Sequence, residues 1–294
     1  MRLLFSYMGS KRRSIDDINR LLPDADCYAE PFAGSSVVFL NLTKEYSMYG
    51  INDINPVLVD FIKQIPYFEA QEFIDWGKHC NDKWGFMHGS DEERKKKYYD
   101  FRNEWNKKYF SSMKNNKNLK ATFEFILLAN MCINHMVRFS PNGFNQSWGD
   151  RFPSDKKLKT IGETIKYLQT IEDRIRVTSE DDFSILPQFN DSGYFLFLDP
   201  PYSLTDSSYK LIDYDKFYSA LRGMKCKIML TDVLKYTDGK INKGLQGLID
   251  EGWLKQDIDS IKNISPNRGE TEVGYNEVIL MNYKVDKPKQ NMFF

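Results

Sequence analysis

Residues 194–202, Tyr-Phe-Leu-Phe-Leu-Asp-Pro-Pro-Tyr, constrain what this chain can fold into more than any other stretch. Five consecutive large apolar residues read as a buried strand. An aspartate ends the run and two prolines follow it. Proline has no N–H, holds φ near about −65° and pushes the preceding residue toward extended backbone. The strand therefore stops by stiffening its backbone, and it presents a carboxylate beside an aromatic ring.

The rest of the chain supplies partners for such a strand. Residues 26–34 read as a short strand running into a glycine turn, and 35–46 carry helical apolar spacing with Ser35 or Ser36 as the N-cap. Residues 47–56 read as a second strand ending at Asp53, and 57–65 as another helix. A β-α-β unit of this kind predicts an α/β sheet. From 66 to about 160 the pattern becomes helical, aromatic and polar. It breaks at 137–157, where Pro, Gly, Asn and Ser separate the aromatics and predict a hairpin or ordered loop. Helical spacing resumes at 161–174, and strand signals follow at 175–183, 194–202, 225–233 and 276–283. A sheet domain made of 1–65 and 161–294 is thus interrupted by an insert, 66–160, and the tail from 284 on is expected to be loosely ordered.

Composition narrows the function classes. With 41% hydrophobic and 15% aromatic residues in 294, the chain is globular. No apolar stretch approaches the ~20 residues of a membrane span, and residues 1–14 do not resemble a secretory signal, so the cytoplasm is the expected location. Cys27, Cys80, Cys132 and Cys226 are scattered and read as reduced thiols. His79, Cys80 and His88 lack an evident fourth ligand, so no metal is expected. Net charge is zero, yet residues 94–120 carry a local +8 interleaved with aromatics. That segment either meets phosphates or is a solvated amphipathic helix with its rings in a core.

Three features carry chemistry. Gly34 lets backbone approach a ligand beyond the carboxyl end of a strand. Asp53 follows it by 19 residues, a spacing suited to a carboxylate that accepts from the hydroxyls of a ribose, although a helix cap is the plainer role for it. Asp199, Pro200, Pro201 and Tyr202 suit an aromatic primary amine. Such an amine is a poor nucleophile while its lone pair is delocalised. Two fixed acceptors, the Asp199 carboxylate and the Pro200 carbonyl, draw both N–H groups and expose the lone pair, while the Tyr202 ring stacks on the base.

These residues, with "PFAGSSVVFLN" (31–41), "NDINP" (52–56) and "YMGSKRR" (7–13), resemble the Dam-type, D12 class DNA adenine-N6 methyltransferases of bacteria and phages. The resemblance implies a Rossmann-like sheet with an inserted, mostly helical target-recognition domain that carries a β-hairpin. It implies S-adenosylmethionine held by Tyr7, Gly9, Lys11, Phe32, Ala33, Gly34, Ser35, Asp53, Asp182, Phe183 and Asp199. It also implies double-stranded DNA as partner, a flipped adenine and direct methyl transfer without a metal. "INHMVRFSPNGFNQSWGDR" (133–151) resembles the family's GATC-reading hairpin, which makes Lys11, Asn134, Met136, Arg138, Asn145, Ser147, Trp148 and Arg151 the candidates for DNA contact. Relatives often read F-x-x-P-F-G where this chain has "FNQSWG" (144–149), so a site related to GATC is equally compatible. Cytosine-amine or RNA methylation, and a binding module without turnover, are the competing readings. A monomer or weak dimer is expected, either solitary or paired with a cognate restriction endonuclease.

Overall fold

The structure is a computed structural model that describes residues 1–7, 9–64, 67, 69–110, 118–135, 137–180, 182–201, 213–236, 239–258 and 276–285. In chain order the helices are α1 (Ile15–Arg20), α2 (Val37–Leu40), α3 (Pro56–Gln64), α4 (Ala70–Trp84), α5 (Asp91–Tyr109), α6 (Leu119–Met131), α7 (Asp155–Gln169), α8 (Asp182–Ile185), α9 (Tyr214–Arg222) and α10 (Lys243–Asp250). The strands are β1 (Cys27–Glu30), β2 (Met48–Asn52), β3 (Phe139–Ser140), β4 (Gly143–Phe144), β5 (Ile175–Thr178), β6 (Tyr194–Leu198), β7 (Lys227–Lys235), β8 (Leu254–Asp257) and β9 (Asn276–Met281). The chain forms two compact units, one of Met1–Arg13, Ala33–Leu42 and Asp53–Ser179, the other of Ser14–Phe32, Thr43–Asn52 and Glu180–Phe294.

The second unit holds six strands of a seven-stranded mixed sheet, in the order β2-β1-β6-β7-β9-β8. β1 pairs in parallel with β2 and β6, and β6 with β7, while β9 runs antiparallel to both β7 and β8. β6 is buried on both faces, which is why its sequence shows no polar alternation. Leu196 and Leu198 pack with Phe217, Leu221, Leu245 and Leu248 of α9 and α10. Phe195 on the other face meets Tyr28 and Tyr283, with ring centroids 5.7 and 6.1 Å away. β8 is exposed along its whole length and sits at the sheet edge, and its polar sequence gave no strand signal.

The first unit is built on α6, whose residues from Ala121 to Met131 are nearly all buried. The N-terminal segment is tied to two of its helices. The Leu3 N–H donates to Thr164 Oγ1 of α7 at 3.1 Å, and the Asn130 amide of α6 donates to the Leu4 carbonyl at 3.0 Å.

Three expected elements differ in detail. The strand predicted over 175–183 is β5, which ends at Thr178, and Asp182 already opens α8. The helix predicted over 35–46 is the single turn α2, because the Asn41 side chain takes the Val37 carbonyl at 2.8 Å and both backbone groups of Arg2, ending the helix there. Ser36 stands at the N-cap position with φ +53 and makes no side-chain capping bond, so the expected serine cap is not formed. α7 begins at Asp155, six residues before the predicted start, where the Ser154 hydroxyl accepts from the Lys157 N–H.

Of the two readings of the basic segment, the described part is an amphipathic helix. α5 buries Tyr98, Phe101, Trp105 and Tyr109 along one face. Lys96 pairs with Asp100, Lys108 with Glu104, and Arg94 with Asp91 and Asp150. Lys97 donates to the carbonyls of Gly85 and His88, and Arg102 to that of Gln146. Much of the local positive charge is therefore engaged at short range.

Candidate active site

In the first unit Gly34 adopts φ +51, and its N–H donates to Asp53 Oδ2 at 2.7 Å. Asp53 Oδ1 accepts from the Asn55 N–H at 2.8 Å. Capping of α3 falls to Asn55, whose Oδ1 accepts from the Val57 N–H at 3.1 Å. Asp53 is thus released from the cap role and is bonded to the glycine turn. Burial pushes its carboxyl up to about 6, against the lowering effect of the Asn55 and Gly34 N–H groups. A Cβ on Gly34 would stand 3.2 Å from Tyr7 Cε1, so glycine lets the Tyr7 ring lie against the turn. The Tyr7 carbonyl accepts from the Ser10 N–H at 3.2 Å across a turn in which Gly9 has φ +76. Lys11 is buried at 5% exposure, and its Nζ donates to the Gly9 carbonyl at 3.2 Å. Ala33 and Ser35 are also buried. Tyr7, Gly9, Gly34 and Asp53 are therefore brought together from three separate stretches of sequence.

This cradle suits a polar ligand. Among the described residues Ser10 Oγ and Ser36 Oγ are buried with no hydrogen-bond partner, and burial raises the Asp53 carboxyl to about 6. Such groups are expensive to bury unless something completes their bonding.

In the second unit Asp199 follows the last residue of β6 and is partly exposed, with Pro200 buried behind it. The Thr231 hydroxyl of β7 donates to Asp199 Oδ1 at 2.8 Å. Thr231 is fully buried, and nothing in its local sequence marks it, because its bond to Asp199 depends on β7 lying beside β6. On the opposite face of β7, Asp232 accepts from the Tyr218 hydroxyl at 3.0 Å and from the Asn242 amide at 3.3 Å, a buried polar network under α9 and α10. Phe32 is 9% exposed and packs edge-on against Phe217 at 6.0 Å. Asp182 and Phe183 open α8, but their side chains, like Tyr202 and Met136, lie outside what is described.

The predicted hairpin is present as β3 and β4, with Phe139 opposite Phe144 and Ser140 opposite Gly143. Arg138 at its base is exposed, and its Nε donates to Asn145 Oδ1 at 3.0 Å. Asn134, Ser147 and Arg151 are exposed as well, Asn134 with φ +54. Trp148 is not. It is 9% exposed, its ring lies 5.3 Å from that of Tyr98, and its backbone bridges to Cys132. It lines a cleft of about 300 Å³ together with Asp91, Glu92, Lys95 and Asp150, whose carboxylates disfavour a phosphate. Its indole packs against Tyr98 of α5.

Residues 7–243 match the model of the D12 class N6 adenine-specific DNA methyltransferases. The chain belongs to this family. Among its relatives it is 25% identical over 307 residues to the type II methyltransferase M.MjaIII of Methanocaldococcus jannaschii, covering 94% of this chain and 97% of the relative. It is 26% identical over 219 residues to the type II methyltransferase M.CviBI of Paramecium bursaria Chlorella virus NC1A, covering 74% and 75%. It is 31% identical over 106 residues to the DNA adenine methylase of Escherichia coli K12, covering 36% and 34%. The mostly parallel sheet with helices is the architecture the resemblance implied. Among the described residues, no three His, Cys, Asp or Glu side chains gather as a metal site, and no helix is long and apolar enough to cross a membrane.

Proposed function

We propose that this family member transfers a methyl group from S-adenosylmethionine to N6 of adenine in duplex DNA, at GATC or a related site. One observation carries the reading. The stretches "PFAGSS" and "DPPY" follow directly on the carboxyl ends of β1 and β6, and "NDINP" begins at the last residue of β2; these are three adjacent parallel strands, and in open α/β sheets ligands bind beyond such ends.

On this reading Tyr7, Gly9, Lys11, Phe32, Ala33, Gly34, Ser35, Asp53, Asp182 and Phe183 hold the cofactor, with Asp53 accepting from its ribose hydroxyls. S-adenosylmethionine, when bound, supplies an electrophilic methyl on sulfur. Asp199 and the Pro200 carbonyl accept from the two N–H groups of the flipped adenine and expose the lone pair of its nitrogen. Pro201 keeps that backbone rigid and Tyr202 stacks on the base. Residues 66–160 form the target-recognition insert. Asn134, Met136, Arg138, Asn145, Ser147 and Arg151 approach the duplex from the hairpin, and Arg138 is best shaped for a guanine edge. The Asn145 bond to its Nε leaves both terminal nitrogens of Arg138 to form that fork. The work is done on DNA in the cytoplasm, with or without a companion endonuclease.

The test is transfer of labelled methyl from S-adenosylmethionine to unmethylated DNA, followed by nucleoside analysis and GATC-sensitive digestion. Label in N6-methyladenine with GATC protection is the expected result. Label without protection retains the chemistry and moves the target site. Label in cytosine or only in RNA, or none at all, overturns the reading.

A further inference from the structure

We infer that Thr231 is a positioning residue for the reaction: its hydroxyl fixes the rotation of the Asp199 carboxylate. The inference rests on Asp199 being the carboxylate that binds the target amine, and its geometry comes from the sheet. β6 and β7 are parallel with Leu198 opposite Leu230, so Asp199, the next residue, falls beside Thr231. Side chains alternate between the faces of a strand. Leu196 and Leu198 of β6 and Ile228 and Leu230 of β7 all enter the core cluster on one face. Asp199 and Thr231, each one residue further on, therefore share the opposite face.

A threonine hydroxyl carries a single hydrogen. Two acceptors stand within reach of it, Asp199 Oδ1 at 2.8 Å and the Leu198 carbonyl at 3.3 Å. The shorter contact goes to the charged acceptor, which forms the stronger bond. Thr231 is 0% exposed, and its branched Cβ is stiff about χ1, so the hydroxyl is a fixed donor. Asp199 stands just past the strand and is partly exposed, with Oδ1 on the Thr231 hydroxyl. Pinning one oxygen sets the plane of the group before the base arrives, and preorganisation of this kind acts on the chemical step more than on binding.

The experiment compares Thr231→Val and Thr231→Ser in the full chain, measuring kcat and KM for both S-adenosylmethionine and DNA. Valine keeps the shape and removes the donor, so kcat should fall about tenfold with both KM values within about twofold. Serine should restore most of kcat. A kcat for Thr231→Val within twofold of wild type overturns the inference, as does a loss in which KM rises in step and serine fails to rescue. Should the valine protein not fold, Thr231→Cys takes its place, and a cysteine variant as fast as the serine variant overturns the inference likewise. Asp199→Ala, run in parallel, separates this proposal from the reading beneath it. Retained turnover there defeats the catalytic assignment itself, whereas a dead Asp199→Ala beside an unimpaired Thr231→Val defeats only the role of Thr231.

Discussion

Asp53 and Gly34 show how two side-chain choices depend on one another. Among the described residues the partly buried Asp53 carboxylate has backbone donors alone to support its charge, and burial raises its ionisation to about 6. Ribose hydroxyls donate to the ionised form. On the proposed reading, cofactor affinity is therefore level above pH 6 and falls as pH drops through it, approaching about tenfold per unit well below that point. Calorimetric titration with S-adenosylhomocysteine between pH 5 and 8 should show this step, and Asp53→Asn should bind weakly at every pH without it. Gly34→Ala meets two obstacles, the left-handed φ of +51 and the Tyr7 ring at 3.2 Å. The backbone alone should cost about 1–2 kcal/mol, read as a lowered midpoint in thermal unfolding together with weaker cofactor binding. The glycine and the aspartate were both legible in the sequence. The hydrogen bond that joins them was not, because it spans a helix and a strand.

At the level of elements, the hairpin is held by α5 as though by a third strand. Asn106 accepts from the Phe144 N–H through Oδ1 and donates to the Phe144 carbonyl through Nδ2, both at 2.9 Å. Asn106→Ala removes both bonds and should cost about 2 kcal/mol, measured by urea unfolding, and it should speed tryptic cleavage after Arg138. Gly143→Ala should be worse, since a Cβ there, at φ +112, would stand 2.5 Å from Asn106 Cγ. Turn residues in 137–157 announced the hairpin, but its anchor on α5 lies 38 residues away in sequence. The same limit explains the shortened α2. Its apolar spacing is helical through residue 46, and the bonds of the Asn41 side chain to Arg2 and to the Val37 carbonyl stop it. β8 carries no strand signal in the sequence because a four-residue exposed edge strand needs no apolar alternation.

For the molecule as a whole, the question is which surface meets DNA. Charge counting favours the segment 94–120, whereas the structure spends Lys96 and Lys108 on neighbouring carboxylates. Replacing both with alanine should change DNA affinity less than about twofold at moderate salt, because paired charges release few counterions on binding. Arg138→Ala should cost about 1–3 kcal/mol and relax base preference at one position of the site, read by competition between cognate and single-substituted duplexes. The sequence by itself determined the doubly buried strand, the order of the motifs and membership of the methyltransferase family, since apolar runs, turn residues and short motifs are local signals. Only the tertiary structure decided that Thr231 meets Asp199, that Asp53 bonds Gly34 rather than capping α3, and that Trp148 turns inward onto Tyr98. Each of those depends on strand register or helix docking between distant residues, and no window along the chain contains both partners.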